Sequence, residues 1–253
     1  MKLKEERKNI TLDMLQKEEV ITVSQVKKVL NVTDMTVRRD LKELEDSHQL
    51  IRIHGGAKRV ANDVSYNEYT HSEKKKINTE DKKAAAKKAA SLIVENDLVF
   101  IGPGTTCEFI YDYIDVNRAK IITNSFSVFM KFQADPRFEV ILVGGRLRQF
   151  TKTFVGVFAN QVLGNMKVKK AFLGTNGING LNITTANEEE GTSQKIILDN
   201  AQERYIVCDH TKIGQEAFYT FYPLDEVTAI ITDENLPDQT REEYGQFTTI
   251  LTK

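Results

Sequence analysis

The sequence predicts two domains: an N-terminal winged helix-turn-helix, and a larger C-terminal α/β domain on a mainly parallel sheet. Three observations predict this. Within the first 60 residues, two short amphipathic stretches are separated by a three-residue break and followed by a Gly-Gly hairpin signal. From residue 98 onward, short apolar runs alternate with helical stretches. The charge divides along the same line. Residues 1–90 carry 20 Lys+Arg against 15 Asp+Glu, and residues 91–253 carry 15 against 21. A basic front and an acidic back point to an anionic partner for the front.

Residues 5–17 place Ile10, Leu12, Met14 and Leu15 on roughly one helix face. Gln25–Leu30 follows with Val26, Val29 and Leu30 at helical spacing, and Thr22 or Ser24 supplies its cap. After Asn31-Val32, Thr33 is the expected N-cap of a third helix reaching about Asp46. Val37, Leu41 and Leu44 form its buried stripe. Two helices joined by a 3–4 residue turn match a helix-turn-helix, whose second helix enters the major groove of double-stranded DNA. The expected base readers are Thr33, Asp34, Thr36 and Arg38, with Arg39 and Lys42 assigned to phosphates. Leu50–Ile53 reads as a strand, Gly55-Gly56 as a tight turn, and Lys58-Arg59 as the start of the return strand. This basic hairpin, with His54 in its turn, is the expected wing. The domain limits are 1–60 for the DNA-binding domain, 61–78 for a polar linker containing Lys74-Lys75-Lys76, and 79–253 for the rest.

In the back half the expected strands are Leu98–Ile101, Lys120–Thr123, Glu139–Val143, Ala171–Leu173, Tyr205–Cys208 and Thr228–Ile231. The expected helices are Glu108–Ile114, Ser125–Gln133, Val155–Met166, Glu189–Ala201 and Asp238–Tyr244. Ligands of such sheets collect at the strand carboxyl ends. Several strands here end in small polar residues: Gly102-Pro103-Gly104-Thr105-Thr106, Thr123-Asn124-Ser125, Gly144-Gly145-Arg146 and Asp209-His210-Thr211-Lys212. Glycines admit an anion to the backbone, and hydroxyls, Arg and Lys hold its oxygens. The expected ligand is a small polyol phosphate, held by Gly102, Gly104, Thr105, Thr106, Asn124, Ser125, Gly145, Arg146, Asp209 and Lys212.

Asp34-Met35-Thr36-Val37-Arg38-Arg39-Asp40-Leu41, followed by Ile53-His54-Gly55-Gly56-Ala57, resembles the signature of the DeoR-type repressor family. The strand-end motifs at 104–106, 123–125, 144–145 and 209–214 are similar to that family's effector domain, which resembles sugar-phosphate isomerases. The resemblance spans essentially the whole chain. It implies operator DNA as one partner, a sugar-phosphate inducer as another, and a homo-oligomer, dimer or tetramer. It also adds Glu190 and Lys195 as effector residues, a Glu followed five positions later by a basic residue. Many members have Asp where this chain has Gly102. The Gly-Pro-Gly-Thr-Thr form and Met35 are similar to a Gram-positive branch concerned with lactose use, which implies tagatose 6-phosphate as inducer.

Other functional classes are less favoured. No stretch approaches the roughly 18 apolar residues of a membrane span, and no signal-peptide pattern opens the chain, so a cytoplasmic location is expected. Cys107 and Cys208 fit no metal or redox spacing, and His48, His54, His71 and His210 form no metal-ligand pattern. No cofactor is expected. Glu188-Glu189-Glu190 reads as a charged helix start. The competing readings are a repressor answering to another sugar phosphate, such as fructose 1-phosphate, an activator, and a sugar-phosphate isomerase using Glu190, Lys195, Asp209 and Lys212.

Overall fold

The computed structural model describes residues 4–18, 20–46, 49–53, 55–58 and 69–252. The chain divides into two compact units, Met1–Asp63 and Val64–Lys253.

The first unit comprises α1 (Lys4–Lys17), β1 (Val20–Thr22), α2 (Val23–Leu30), α3 (Asp34–Asp46), β2 (Ile51–Ile53) and β3 (Gly56–Lys58). Thr22, not Ser24, caps α2: its hydroxyl accepts from the Gln25 N–H at 3.2 Å, while the Gln25 side chain accepts from the Thr22 N–H at 2.7 Å. Val23, Val26 and Leu30 face the core, whereas Val29 is exposed. Asn31, at φ 52°, closes α2 in the left-handed region. Thr33 caps α3 as expected, accepting from the Thr36 N–H at 3.3 Å. Val37, Leu41 and Leu44 are buried with Leu15, Ile21 and Leu50.

The wing contains a strand that the sequence does not announce. β1 pairs antiparallel with β3, and β3 pairs with β2. The two turn glycines do different work. Gly55 takes φ +86°, but Gly56 is needed for space: a Cβ there would lie 2.1 Å from the Ile21 carbonyl oxygen. A buried ion pair fastens α1 to α3, with Arg7 Nε and Nη2 donating to the two Asp40 oxygens at 2.8 and 3.0 Å.

The second unit runs α4 (His71–Lys76), α5 (Thr79–Ser91), β4 (Leu98–Ile101), α6 (Thr105–Glu108), β5 (Ala119–Thr123), α7 (Phe126–Phe132), β6 (Phe138–Leu142), β7 (Arg146–Arg148), β8 (Thr153–Val155), α8 (Val157–Gly164), β9 (Val168–Leu173), β10 (Gly177–Asn179), β11 (Asn182–Thr185), α9 (Glu188–Asp199), β12 (Ala201–Val207), β13 (Tyr219–Pro223), β14 (Ala229–Ile231), α10 (Asp238–Gly245) and β15 (Thr249–Leu251). Seven strands form one parallel sheet in the order β15-β14-β12-β9-β4-β5-β6. The chain starts this sheet at β4, builds outward to β6, then returns to lay β9 against the other side of β4. That reversal is a topological switch point.

Both faces of the sheet are buried, which explains the continuous apolar runs. Val99 and Ile101 pack with Ala85, Ala86, Ala89 and Ala90 of α5. Phe100 faces the other way, into the core with Leu163, Ile197 and Leu198. At the amino ends of β4 and β9, Asp97 accepts from Lys169 at 2.7 Å and Lys170 at 2.6 Å.

The strand expectations fall on observed strands. A β7–β8 hairpin and a three-stranded antiparallel sheet, β10-β11-β13, were not expected. Their three- to five-residue strands are too short and polar to show periodicity. The expected helix from Glu108 starts earlier, at Thr105, and tightens into a 3-10 turn at Phe109–Asp112. The linker expectation needs correction over residues 70–78. Thr70 caps α4 in a capping box with Glu73, and α4 belongs to the second unit.

Replacing Arg7 with Met should destabilise the first unit by about 3 kcal/mol. That is the low end for stranding one partner of a buried ion pair, because a small unit lets water relieve Asp40. Urea denaturation of the full chain measures it. The double variant Arg7→Met/Asp40→Leu should recover most of the loss, and failure to recover would mean that packing, not charge, is at stake.

Candidate functional site

In α3 the buried stripe leaves Met35, Arg38, Arg39 and Lys42 together on the opposite side, all exposed. Of the residues expected to read bases, Arg38 belongs to this face. Thr33 and Thr36 are largely engaged with each other, their hydroxyls 3.0 Å apart at the cap. Asp34 pairs with Lys27 of α2 at 2.8 Å, and that hydrogen bond and charge hold its carboxyl below the ordinary value. Met35, 81% exposed, was missed as a surface candidate; a thioether stem suits a thymine methyl group. Lys58 is exposed at the end of β3. His54 and Arg59 lie outside the described residues, as does His48.

In the second unit the parallel order brings the carboxyl ends of β4, β5, β6, β9 and β12 to one edge. Gly104, at φ +134°, and Gly174 form the close approach between the β4 and β9 loops; a Cβ on Gly104 would sit 3.6 Å from the Gly174 Cα. Thr105 and Thr106 open α6 beside them. Among the described residues no hydrogen bond engages either hydroxyl, although both residues are only 6% exposed. The first N–H groups of the turn likewise have no carbonyl one turn back to meet. This is the best-formed set of free donors at the edge.

The other expected effector residues divide. Gly102 does not meet the edge: it packs between β4 and β9, where a Cβ would lie 2.2 Å from Leu173 Cδ2. Ser125 is spent on capping α7, accepting from the Val128 N–H at 3.3 Å. Asn124 is buried and donates to the Phe154 carbonyl at 3.0 Å, leaving its own side-chain oxygen without a partner. Gly145 is needed for packing, since a Cβ would meet the Val155 oxygen at 2.8 Å. Arg146 is exposed and pairs with Glu189. Glu190 is buried, held by Thr151 and by Arg148 at 3.2 Å. Lys195 is not brought to Glu190. Five residues along a helix is about 140° of rotation. Lys195 instead reaches Asp199 at 3.2 Å and lies over the Tyr222 ring, in a groove between α9 and β13.

Asp209 ends β12 and is 1% exposed, accepting from Asn78 at 3.1 Å and from Thr211. Burial alone would raise its pKa; Lys212, Thr211, Asn78 and Lys82 outweigh burial and hold it below the ordinary value. Lys82 of α5, also missed in sequence, is 4% exposed and donates to the Lys74 carbonyl. Burial pushes its amine down to about 8, with the Asp209 charge opposing. Arg148, Thr151 and Lys82 carry no motif; only their neighbours in space mark them.

The cysteines are inert packing groups: burial pushes Cys107 up to about 12 and Cys208 well above its ordinary value. Asp81, His210 and Asp233 bring ligand-type atoms within 4.8 Å of one another. Asp233 is the most heavily engaged of the three. Asp233 accepts from the His210 N–H at 2.7 Å, bonds the His210 ring at 2.8 Å and accepts from the Asn235 N–H at 3.0 Å, while Asp81 accepts from Asn235 at 2.8 Å. No helix among the described residues is long and apolar enough to cross a membrane.

An exposed basic face on a helix-turn-helix, joined to a switch-point crevice, defines a transcriptional regulator with a ligand-sensing domain. Comparison with known proteins agrees. Residues 7–63 match the DeoR-like helix-turn-helix domain, and residues 77–234 match the DeoR C-terminal sensor domain. The chain is 40% identical over 250 residues to the lactose phosphotransferase system repressor of Streptococcus mutans, covering 98% of this chain and 99% of that one. It is 39% identical to the repressor of the same name from Staphylococcus aureus strain NCTC 8325, covering 91% of this chain and 92% of that one. Among solved structures, ribose 5-phosphate isomerase A from Methanocaldococcus jannaschii is 20% identical over 54% of this chain and 55% of its own, with a TM-score of 0.38. The chain belongs to the DeoR family of transcriptional regulators.

Lys82 should titrate with a midpoint at about 8, measurable by NMR of its side chain. Asp209→Asn should lower that midpoint further, because the Asp209 charge opposes the effect of burial; an unchanged midpoint would uncouple the pair. The unfolded amine keeps its proton to about pH 10.4. Between about pH 8 and 10.4 the unfolded state therefore binds more protons at this site, and Lys82 contributes stability that rises with pH.

Proposed function

We propose that this chain is a repressor of a sugar-catabolic operon in the lactose or tagatose 6-phosphate pathway. In this reading α3 docks in the operator major groove, and a sugar phosphate at the strand-end crevice releases it. The observation that carries it is the exposed Met35–Arg38–Arg39–Lys42 face of α3. Arg38 reads a base edge, Met35 a methyl group, and Arg39, Lys42 and Lys58 meet phosphates. The ligand's phosphate lies against Gly104, Thr105 and Thr106, and its polyol lies toward Asn124 on one side and Asp209 and Lys212 on the other. The names of the relatives, at about 40% identity over nearly the full chain, support the lactose assignment, and the Gly-Pro-Gly-Thr-Thr form of the β4 loop carries tagatose 6-phosphate as the inducer. The protein works in the cytoplasm as a homo-oligomer, a dimer or tetramer. For release to occur, the ligand must favour an arrangement of the oligomer that does not bind the operator.

Operator binding titrated with tagatose 6-phosphate and a panel of other sugar phosphates tests this reading. Release by tagatose 6-phosphate alone is expected; release by another sugar phosphate would discard the lactose assignment. Arg38→Ala should cost about 1–3 kcal/mol of operator binding and relax sequence preference. Equal loss on operator and random DNA would make Arg38 a phosphate contact. Thr105→Val and Thr106→Val should leave operator binding intact and blunt release, and an unchanged response would remove the pair from the crevice. Operator affinity should fall steeply with salt.

A further inference from the structure

α4 is the first described element after the DNA-binding unit, and residues 71–78 are tied to three of the strand-end loops. The strongest tie is Glu108, a carboxylate only 2% exposed. One of its oxygens meets His71 Nε2 and the other accepts from Lys75 Nζ at 3.1 Å. His71 and Lys75 are four residues apart, on one face of α4. Burial by itself would raise the Glu108 pKa; His71 and Lys75 outweigh it and hold the carboxyl below its ordinary value. Glu108 shares a single helical turn with Thr105 and Thr106, whose hydroxyls are free. Two further ties reach the same segment. The His71 N–H donates to the Phe150 carbonyl at 2.9 Å, in the β7–β8 turn beside Thr151. Asn78 donates to Asp209 at 3.1 Å and to Thr211 at 3.1 Å.

We infer that Glu108 is the positioning residue that couples ligand binding to operator release, by fastening α4 to the Gly104–Thr106 turn. The inference rests on the reading of that turn as the phosphate site. A buried carboxylate is not left without a cation. When an anion shifts the turn, the bond cannot simply stretch: either α4 follows Glu108, or His71 and Lys75 leave it. A contact with two discrete arrangements carries a signal where a continuously deformable one would dissipate it. A phosphate dianion also competes directly, because it offers the same two cations a second acceptor of higher charge. Beside the contact lies a cleft of about 380 Å³, lined by His71, Lys75, Glu108, Phe126, Met130 and Lys152, which gives α4 room to shift.

The test uses the full chain and three measurements: tagatose 6-phosphate affinity without DNA, operator affinity without ligand, and operator affinity at saturating ligand. The ratio of the last two is the coupling factor, about 5–150-fold in typical allosteric proteins. Lys75→Gln, at a half-exposed position, and Glu108→Gln should each bring that ratio toward one while still binding operator. Lys75→Arg should restore it. A ratio unchanged in both variants overturns the inference and leaves the phosphate site standing. A fall in operator affinity at constant ratio marks a purely structural contact and also overturns it. If no sugar phosphate in the panel releases the wild-type protein, the reading of the turn falls and this inference with it.

Discussion

All seven strands of the main sheet run in one direction, and much of the second unit follows from that constraint. Parallel neighbours need a crossover between them, so helices cover both faces and the strands become apolar throughout. The polar residues of each strand are driven to its ends. Because the strands are parallel, the carboxyl ends gather on one edge, and the strand order reverses at β4 and β9, whose loops approach closely at Gly104 and Gly174. Asp97, with Lys169 and Lys170, ties the same two strands at their amino ends.

Within that frame the polar residues fall into two groups. Ser125 and Asn187 end their bonding at helix caps, accepting from the Val128 and Glu190 N–H groups. The hydroxyls of Thr105 and Thr106 cap nothing and make no hydrogen bond among the described residues, although the two residues look no different in a sequence. A hydroxyl already used by the backbone has little left for a ligand. The geometry therefore narrows a wide set of strand-end candidates to a few with chemistry to spare.

The readable features were those set by periodicity and by local backbone chemistry. The α3 stripe of Val37, Leu41 and Leu44, the Thr33 cap and the parallel strands β4, β5, β6, β9, β12 and β14 all lie in short stretches whose pattern survives folding. The Gly-Gly turn was readable too, but the role of Gly56 was not, since the obstructing atom belongs to Ile21 on a strand 35 residues earlier. The features that stayed hidden are made by distance in sequence. Arg7 meets Asp40, Lys82 meets the Asp209 cluster, and His71 meets Glu108 across intervals that no spacing rule spans. Nor does the Glu190–Lys195 spacing by itself bring the two together. It is local, and helix geometry turns the two side chains apart.

The place of β4 in the sheet has a consequence for biosynthesis. β4 is the first strand of the sheet to leave the ribosome, yet it ends up in the middle. β5 and β6 pair on one side as soon as they emerge, while the other side waits for β9, which begins at Val168. At roughly 5–20 residues per second, the half-built sheet presents a bare, apolar edge for several seconds. The helix-turn-helix unit, made earlier and with its own core, is complete throughout that interval. The nascent chain thus passes through a stage in which its most aggregation-prone surface coexists with a finished DNA-binding unit. Until β9 arrives, that edge is open to pairing with another chain.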